Sequence, residues 1–112
     1  MSQVQTIAGV IDSKDIGWTL SHEHLVSGMG TMERTGLYDE IDALRRCNDA
    51  LQITYDAQIR TIIDCTPVDL GRQVSAFQSL AHTSPINIVA ATGVYRWIPL
   101  TYHSWSADTV AR

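Results

Sequence analysis

Two short runs, TIIDCT at 61–66 and INIVAATG at 86–93, constrain this chain more than any other feature. Both are almost continuously apolar and rich in β-branched residues, so a strand built from either has no polar face to offer to water. Strands of that kind belong in a parallel sheet covered on both sides. The stretch between them supplies the crossover. PVDLGR turns the chain, residues 72–83 carry Val74, Phe77 and Leu80 at helical spacing, and HTSP stops that helix because proline cannot continue it.

The flanking segments extend the same alternation. VQTIAGVI at 4–11 reads as a strand, DSKD at 12–15 as a turn, and IGWTLSHEHL as a second strand, so these first two elements are expected to pair as a hairpin. VSGMGTMERTG reads as a loop. Leu37, Ile41, Leu44, Cys47, Leu51 and Tyr55 then recur three and four residues apart, with Asp39 and Glu40 in the first turn, where a helix favours negative charge. After the last buried strand, VYRWIPLTYHSW forms an aromatic loop, and Ser106 is placed to cap a final helix over ADTVAR. Strands alternating with helices define an α/β fold with a parallel sheet. A closed (β/α)8 barrel takes about 250 residues, and this chain has 112. Residues 1–112 are therefore expected to form a single partial domain, the N-terminal portion of a TIM (β/α)8 barrel made of a hairpin and about three βα units.

Composition excludes several classes of function. The formal net charge is −4, from 8 basic and 12 acidic residues, and the basic residues do not cluster, which argues against nucleic acid as a partner. No apolar run approaches the ~20 residues of a membrane helix. The N-terminus MSQVQTIAGV has no basic region leading into an apolar stretch. Cys47 and Cys65 are too few for a disulfide framework and sit among apolar neighbours. They read as reduced thiols, and the expected location is cytoplasmic.

The residues able to do chemistry gather where strands end. In TLSHEHL, His22 and His24 flank Glu23. Strand side chains alternate, so the two imidazoles share one face. A neutral imidazole binds zinc well, but a zinc site takes three or four ligands, and taken alone two histidines near a strand end read more readily as satisfied polar residues. Glu23 falls on the opposite face and reads as a hydrogen-bonding residue behind the strand. Asp64, inside TIIDCT, must have a partner, because burying a lone carboxylate is costly. Two partners are open: a ligand histidine that it would orient from behind, or backbone amides in the turn before Gly71. Tyr95, Trp97, Tyr102 and Trp105 lie in the loop after the last strand. Aromatic residues at a barrel mouth suit a wall for an apolar substrate, although Trp105 reads better as packing. His82 reads as a surface residue, and His103 has no ligand-like spacing to any neighbour.

TLSHEHL, RTIIDCTPVDLGR and INIVAATGVY, in that order, resemble the N-terminal third of the phosphotriesterase family of the amidohydrolase superfamily, which includes phosphotriesterase-like lactonases. The resemblance runs from about Thr6 to Tyr95. It implies a metal-dependent hydrolase that cleaves a lactone, another carboxylic ester or a phosphotriester with a metal-activated hydroxide. It also implies a centre of two divalent ions, usually zinc, with His22 and His24 as ligands of the more buried one. The family's bridging carboxylated lysine, its two later histidines and its aspartate have no counterpart here. Lys14, the only lysine, stands in the early turn. Tyr95 matches a position lining the family's substrate pocket, with Trp97 beside it. The expected partner is a small-molecule ester, and the expected assembly of the full-length enzyme is a homodimer. The chain departs from the family where Gln73 follows Gly71-Arg72 in place of an aspartate, and where Ala57-Gln58 replaces Ala-Gly. The second change removes a glycine suited to a left-handed helix cap. Two rival readings stand beside the enzyme: a non-catalytic binding or regulatory piece, and a small α/β protein with an incidental His-x-His. The 112 residues alone are expected to be inactive.

Overall fold

The computed structural model describes residues 2–27 and 39–110. Its centre is a three-stranded parallel sheet in the order β3-β4-β5, formed by Trp18–Glu23, Ile59–Asp64 and Asn87–Ala90. Helix α1 (Glu40–Asp56) connects β3 to β4, and α2 (Val74–Thr83) connects β4 to β5. A short α3 (Ala107–Val110) follows β5. The sequence predicts this βαβαβ order. From residue 28 onwards the expected glycine-rich loop lies outside the described residues, as does Leu37.

The hairpin is present but not where the sequence places it. Its arms are β1 (Gln3–Thr6) and β2 (Gly9–Asp12), paired antiparallel, so the run read as one strand folds back on itself. Gly9 permits this with a φ of 133°, a conformation that residues with a Cβ rarely adopt. The hairpin then meets the sheet, because the Ile7 amide donates to the Ile88 carbonyl at 2.8 Å. The second predicted arm begins at Trp18 and belongs to the parallel sheet.

One face of the sheet buries the helices. Leu51 from α1, Ala76, Phe77 and Leu80 from α2, and Ile62 and Ile88 from β4 and β5 form the core with Val26 and Ile86. Ile62 and Ile88 are register partners, so they stand side by side under the helices. Two residues of the predicted helical stripes remain outside. Ile41 and Val74 are exposed, each in the first turn of its helix and at the flank of its buried stripe. Asp39 caps α1 by accepting the Asp42 amide at 3.1 Å, and Ser106 caps α3 by accepting the Thr109 amide at 3.2 Å.

Where α1 turns into β4, Gln58 carries a φ of 70°. This is the left-handed position for which a glycine is the unstrained residue. Gln58→Gly is expected to stabilise the full-length protein by about 0.5–1 kcal/mol in urea denaturation, the strain relief exceeding the loss of the exposed bonds that the Gln58 side chain accepts from Arg60 and donates to the Asp56 carbonyl. A loss of stability would show that these bonds outweigh the backbone strain.

Candidate metal centre

His22 and His24 lie at the C-terminal edge of the sheet, where the β3–β4 register shifts by one residue after an opposite shift at Trp18/Thr19. Leu20 pairs with Ile62 and Glu23 with Asp64, so β3 advances three residues where β4 advances two. Register partners share a face. Without the bulge, His22 and His24 would follow Leu20 onto the helix-covered side. The bulge reverses the alternation, sets half-buried Glu23 on the side of Asp64, and turns both histidines to the exposed face. Their rings stand edge to face with centroids 5.4 Å apart.

Asp64 organises the turn beneath them. It is fully buried, and its two oxygens accept the Leu25 amide at 2.7 Å and the Thr66 amide at 2.8 Å. Of the two partners open to it, the backbone amides are the ones it takes. Its route to a histidine is indirect: the Thr66 side chain, held by the same turn, meets His24 Nδ1 with its Oγ1 at 2.9 Å. If Nδ1–H donates there, Nε2 keeps its lone pair and is the nitrogen left for a ligand bond. Thr66 escapes a motif search because a threonine is neither ligand nor acid. The signal was Asp64-x-Thr66, a carboxylate two residues ahead of an amide it accepts, the pattern of an Asx turn.

The Leu25 peptide is fixed from its other side by Cys47, whose thiol donates to the Leu25 carbonyl at 3.0 Å. Burial, and secondarily the nearby Asp64 carboxylate, pushes the Cys47 thiol up, which keeps it protonated as that donor. Cys47 and Cys65 are both free and half-buried.

Tyr95 and Trp97 sit on the loop after β5, at the same edge of the sheet as the histidines, and both are largely exposed. Trp105 stacks on Tyr102 of the same loop with centroids 5.2 Å apart. His82 is exposed on α2 and bonded to the Gln78 carbonyl within its own helix. His103 is exposed in the Leu100–Ser104 turn, away from any cluster of donors. Lys14 pairs with Asp12 at 3.7 Å in the turn before β3.

The donor set suits part of a metal site. Two imidazoles on one face, one with its second nitrogen bonded to a hydroxyl, are donors of the kind that bind a metal ion. Among the described residues, no group of three or more His, Cys, Asp and Glu side chains is arranged to hold an ion. A closed centre therefore needs donors beyond them. Among the described residues no helix is long and apolar enough to cross a membrane.

Parallel βαβαβ topology with the connecting helices packed on one face of the sheet is that of a partial TIM (β/α)8 barrel. The chain belongs to the phosphotriesterase family, whose model matches residues 2–111. It is 35% identical over 105 residues to an aryldialkylphosphatase of Saccharolobus solfataricus, covering 90% of this chain and 33% of that protein. It is 34% identical over 110 residues to a phosphotriesterase homology protein of Mycobacterium tuberculosis, covering 92% of this chain and 33% of the relative. The chain thus spans about a third of the length of these relatives. Among solved structures, it superposes on an R228A variant of an organophosphorus hydrolase from Deinococcus radiodurans with a TM-score of 0.72 and 26% identity, covering 80% of this chain and 28% of that one. A structure from the engineering of organophosphate hydrolysis activity out of a weak promiscuous lactonase template gives a TM-score of 0.72 at 25% identity, with the same shares of 80% and 28% covered.

Two outcomes test this local geometry. Asp64→Asn replaces one acceptor oxygen by a donor that faces an N–H, and is expected to cost about 2 kcal/mol and to speed hydrogen exchange at the Leu25 and Thr66 amides. Unchanged exchange at both would contradict the assignment. Further along the same connection, Asp69 accepts the amides of Tyr95 and Trp97 at 2.9 Å each and that of Arg96 at 2.5 Å. The amides of Trp97 and Tyr95 foremost hold its carboxyl at about 2, below the ordinary 3.8. A depressed carboxylate contributes stability that is present above its unfolded value and lost as pH falls through its folded one. Amide protection at 95–97 is therefore expected to hold above about pH 4 and to fall as the pH drops towards 2.

Proposed function

We propose that this chain supplies the first two metal ligands and one wall of the substrate pocket to a metal-dependent hydrolase of small esters, a lactone, another carboxylic ester or a phosphotriester. The observation that carries the reading is the pair His22 and His24, turned by the β3 bulge to one face, with His24 oriented through Thr66. Family membership supports it. Divalent metal, taken as two zinc ions in the full-length enzyme, would be held here by His22 and His24. When bound, it supplies Lewis acidity at the scissile group and lowers the pKa of water.

The chain's own residues then have distinct tasks. His22 and His24 bind and do not exchange protons with substrate. Thr66 fixes the His24 ring and its tautomer, so that no reorientation is needed on binding. Tyr95 and Trp97 offer apolar surface to the part of the substrate that is not cleaved, which sets preference more than rate. The proposal extends, on the family resemblance, to a cytoplasmic homodimer and to the inactivity of the 112 residues alone.

The test is bound metal and kcat/KM, with a lactone and with a phosphotriester, in the full-length protein. His22→Ala and His24→Ala are each expected to lose metal and to lower turnover by about 100-fold or more, since each deletes a ligand. Thr66→Val is expected to weaken metal affinity by roughly 10-fold, and Thr66→Ser to restore it. Full metal and activity in both histidine variants would overturn the reading. Equilibrium dialysis of the 112-residue chain separates the rival of a self-contained binding module, which predicts tight, stoichiometric zinc where the present reading predicts weak binding.

A further inference from the structure

The loop that carries Tyr95 and Trp97 has little structure of its own: between Ala91 and Pro99 it forms neither strand nor helix. Its backbone is nonetheless gripped at one point. Three successive amides converge on a single side chain. Asp69 Oδ1 accepts from Tyr95 N, and Asp69 Oδ2 accepts from both Arg96 N and Trp97 N. A backbone that aims three consecutive N–H groups at one carboxylate is curved around it. Here the curve leaves the Tyr95 and Trp97 side chains outside, 72% and 69% exposed.

The carboxylate is itself on a firm mount. Asp69 lies in the turn Val68–Leu70, which is closed by the Leu70 and Gly71 amides at 3.1 Å to the Pro67 and Val68 carbonyls, and by the Arg72 amide to Pro67 at 3.3 Å. Arg72 reaches from the end of that turn to the Ala91 carbonyl, where the loop begins. The turn thus ties the loop at its start through a guanidinium and at its aromatic segment through a carboxylate. Both ties come from the connection after β4, next to the turn in which Thr66 holds His24.

We propose that Asp69 is a specificity-positioning residue, a latch that presets the backbone of 95–97 and thereby the apolar wall formed by Tyr95 and Trp97 against the uncleaved group of the substrate. Asp69 touches no substrate. It acts through the loop, by removing conformations that would otherwise have to be given up when an apolar group binds. The inference rests on the hydrolase reading above and adds to it the residue that sets substrate preference. It also specifies the substrate feature being read, an apolar group large enough to span both aromatic side chains, in contrast to a small unbranched ester that meets neither.

The experiment compares Asp69→Ala, Asp69→Asn and Asp69→Glu with wild type in the full-length protein, using a long-chain lactone and a short-chain lactone as probes. Hydrogen exchange at 95–97, bound metal, and KM and kcat are read separately. Asp69→Ala is expected to abolish amide protection at 95–97 and to raise KM for the long-chain lactone about 10-fold. The short-chain KM should change far less, and bound metal should stay at the wild-type level. Asp69→Glu, which keeps both acceptor oxygens, is expected to recover part of the long-chain KM. If Asp69→Ala does not fold, Asp69→Asn, which keeps one acceptor oxygen, carries the same readouts with a smaller effect. Unchanged protection at 95–97 in these variants would overturn the latch. Lost protection with an unchanged ratio of long-chain to short-chain KM would overturn its role in specificity while leaving the hydrolase reading intact. A wild-type protein that hydrolyses neither lactone nor phosphotriester would overturn the hydrolase reading, and the specificity role with it.

Discussion

A carboxylate with no exposure sits where β4 ends, and the arrangement of the sheet's C-terminal edge follows from how it is satisfied. Burying Asp64 without partners would be prohibitive. Its partners are amides from two different strand ends, Leu25 beyond β3 and Thr66 beyond β4. Satisfying one buried group therefore fixes the relative height of two segments that side-chain packing alone would leave free to slide. The Cys65 amide, donating to the Glu23 carbonyl at 2.8 Å, adds the backbone bond between them. Once those heights are set, Thr66 Oγ1 falls beside His24 Nδ1 and holds the imidazole by one hydrogen bond. A polar network of this kind specifies geometry more than it adds net stability.

The core explains why such a network is needed. The buried apolar residues lie on the helix side of the sheet, where Ile62 and Ile88 meet Leu51, Phe77 and Leu80. Hydrophobic burial is non-directional. It holds α1 and α2 against the strands but has no means of aiming a side chain on the opposite face. That task is divided between the bulge in β3, which decides the face, and the Asp64–Thr66 turn, which decides the angle. Both stand at the C-terminal end of the strands, the end from which the loop of Tyr95 and Trp97 also leaves the sheet.

What the sequence made legible follows from which signals are periodic. The two buried strands and both long helices were readable because β-branched runs and three-four spacing each report a whole element. The shared face of His22 and His24 was readable from alternation. The identity of that face was not, because it depends on a one-residue register shift that leaves no trace in composition. The hairpin was misplaced for a related reason: Gly9 reverses the chain inside an apolar run that otherwise reads as one strand. Ile41 and Val74 fit the helical period and are exposed, because a period gives a stripe and not its ends. Gln58 is the opposite case. The missing glycine at the end of α1 pointed to strain, and its φ of 70° is where that strain lies.

The connection after β4 contributes no candidate ligand and no candidate wall, yet it reaches both. Asp64 and Asp69 are five positions apart, and each accepts main-chain amides from a segment distant in sequence, one from the end of β3 and the other from the loop after β5. A carboxylate suits the task because its two oxygens provide about four lone-pair directions, so it can gather amides whose geometry no single carbonyl would satisfy. The two differ in burial, and the difference matches what each holds. Asp64 is sealed and holds the turn whose Thr66 bonds His24, the proposed ligand. Asp69 is partly open to solvent and holds a loop whose aromatic residues form the proposed substrate wall. Asp64 ends β4 and Asp69 lies in the turn just beyond it, so on the proposed reading one short segment of chain links the ligand pair to the wall. On that reading, a substitution that shifts this segment should disturb metal and substrate together, whereas one confined to Asp69 should disturb substrate alone.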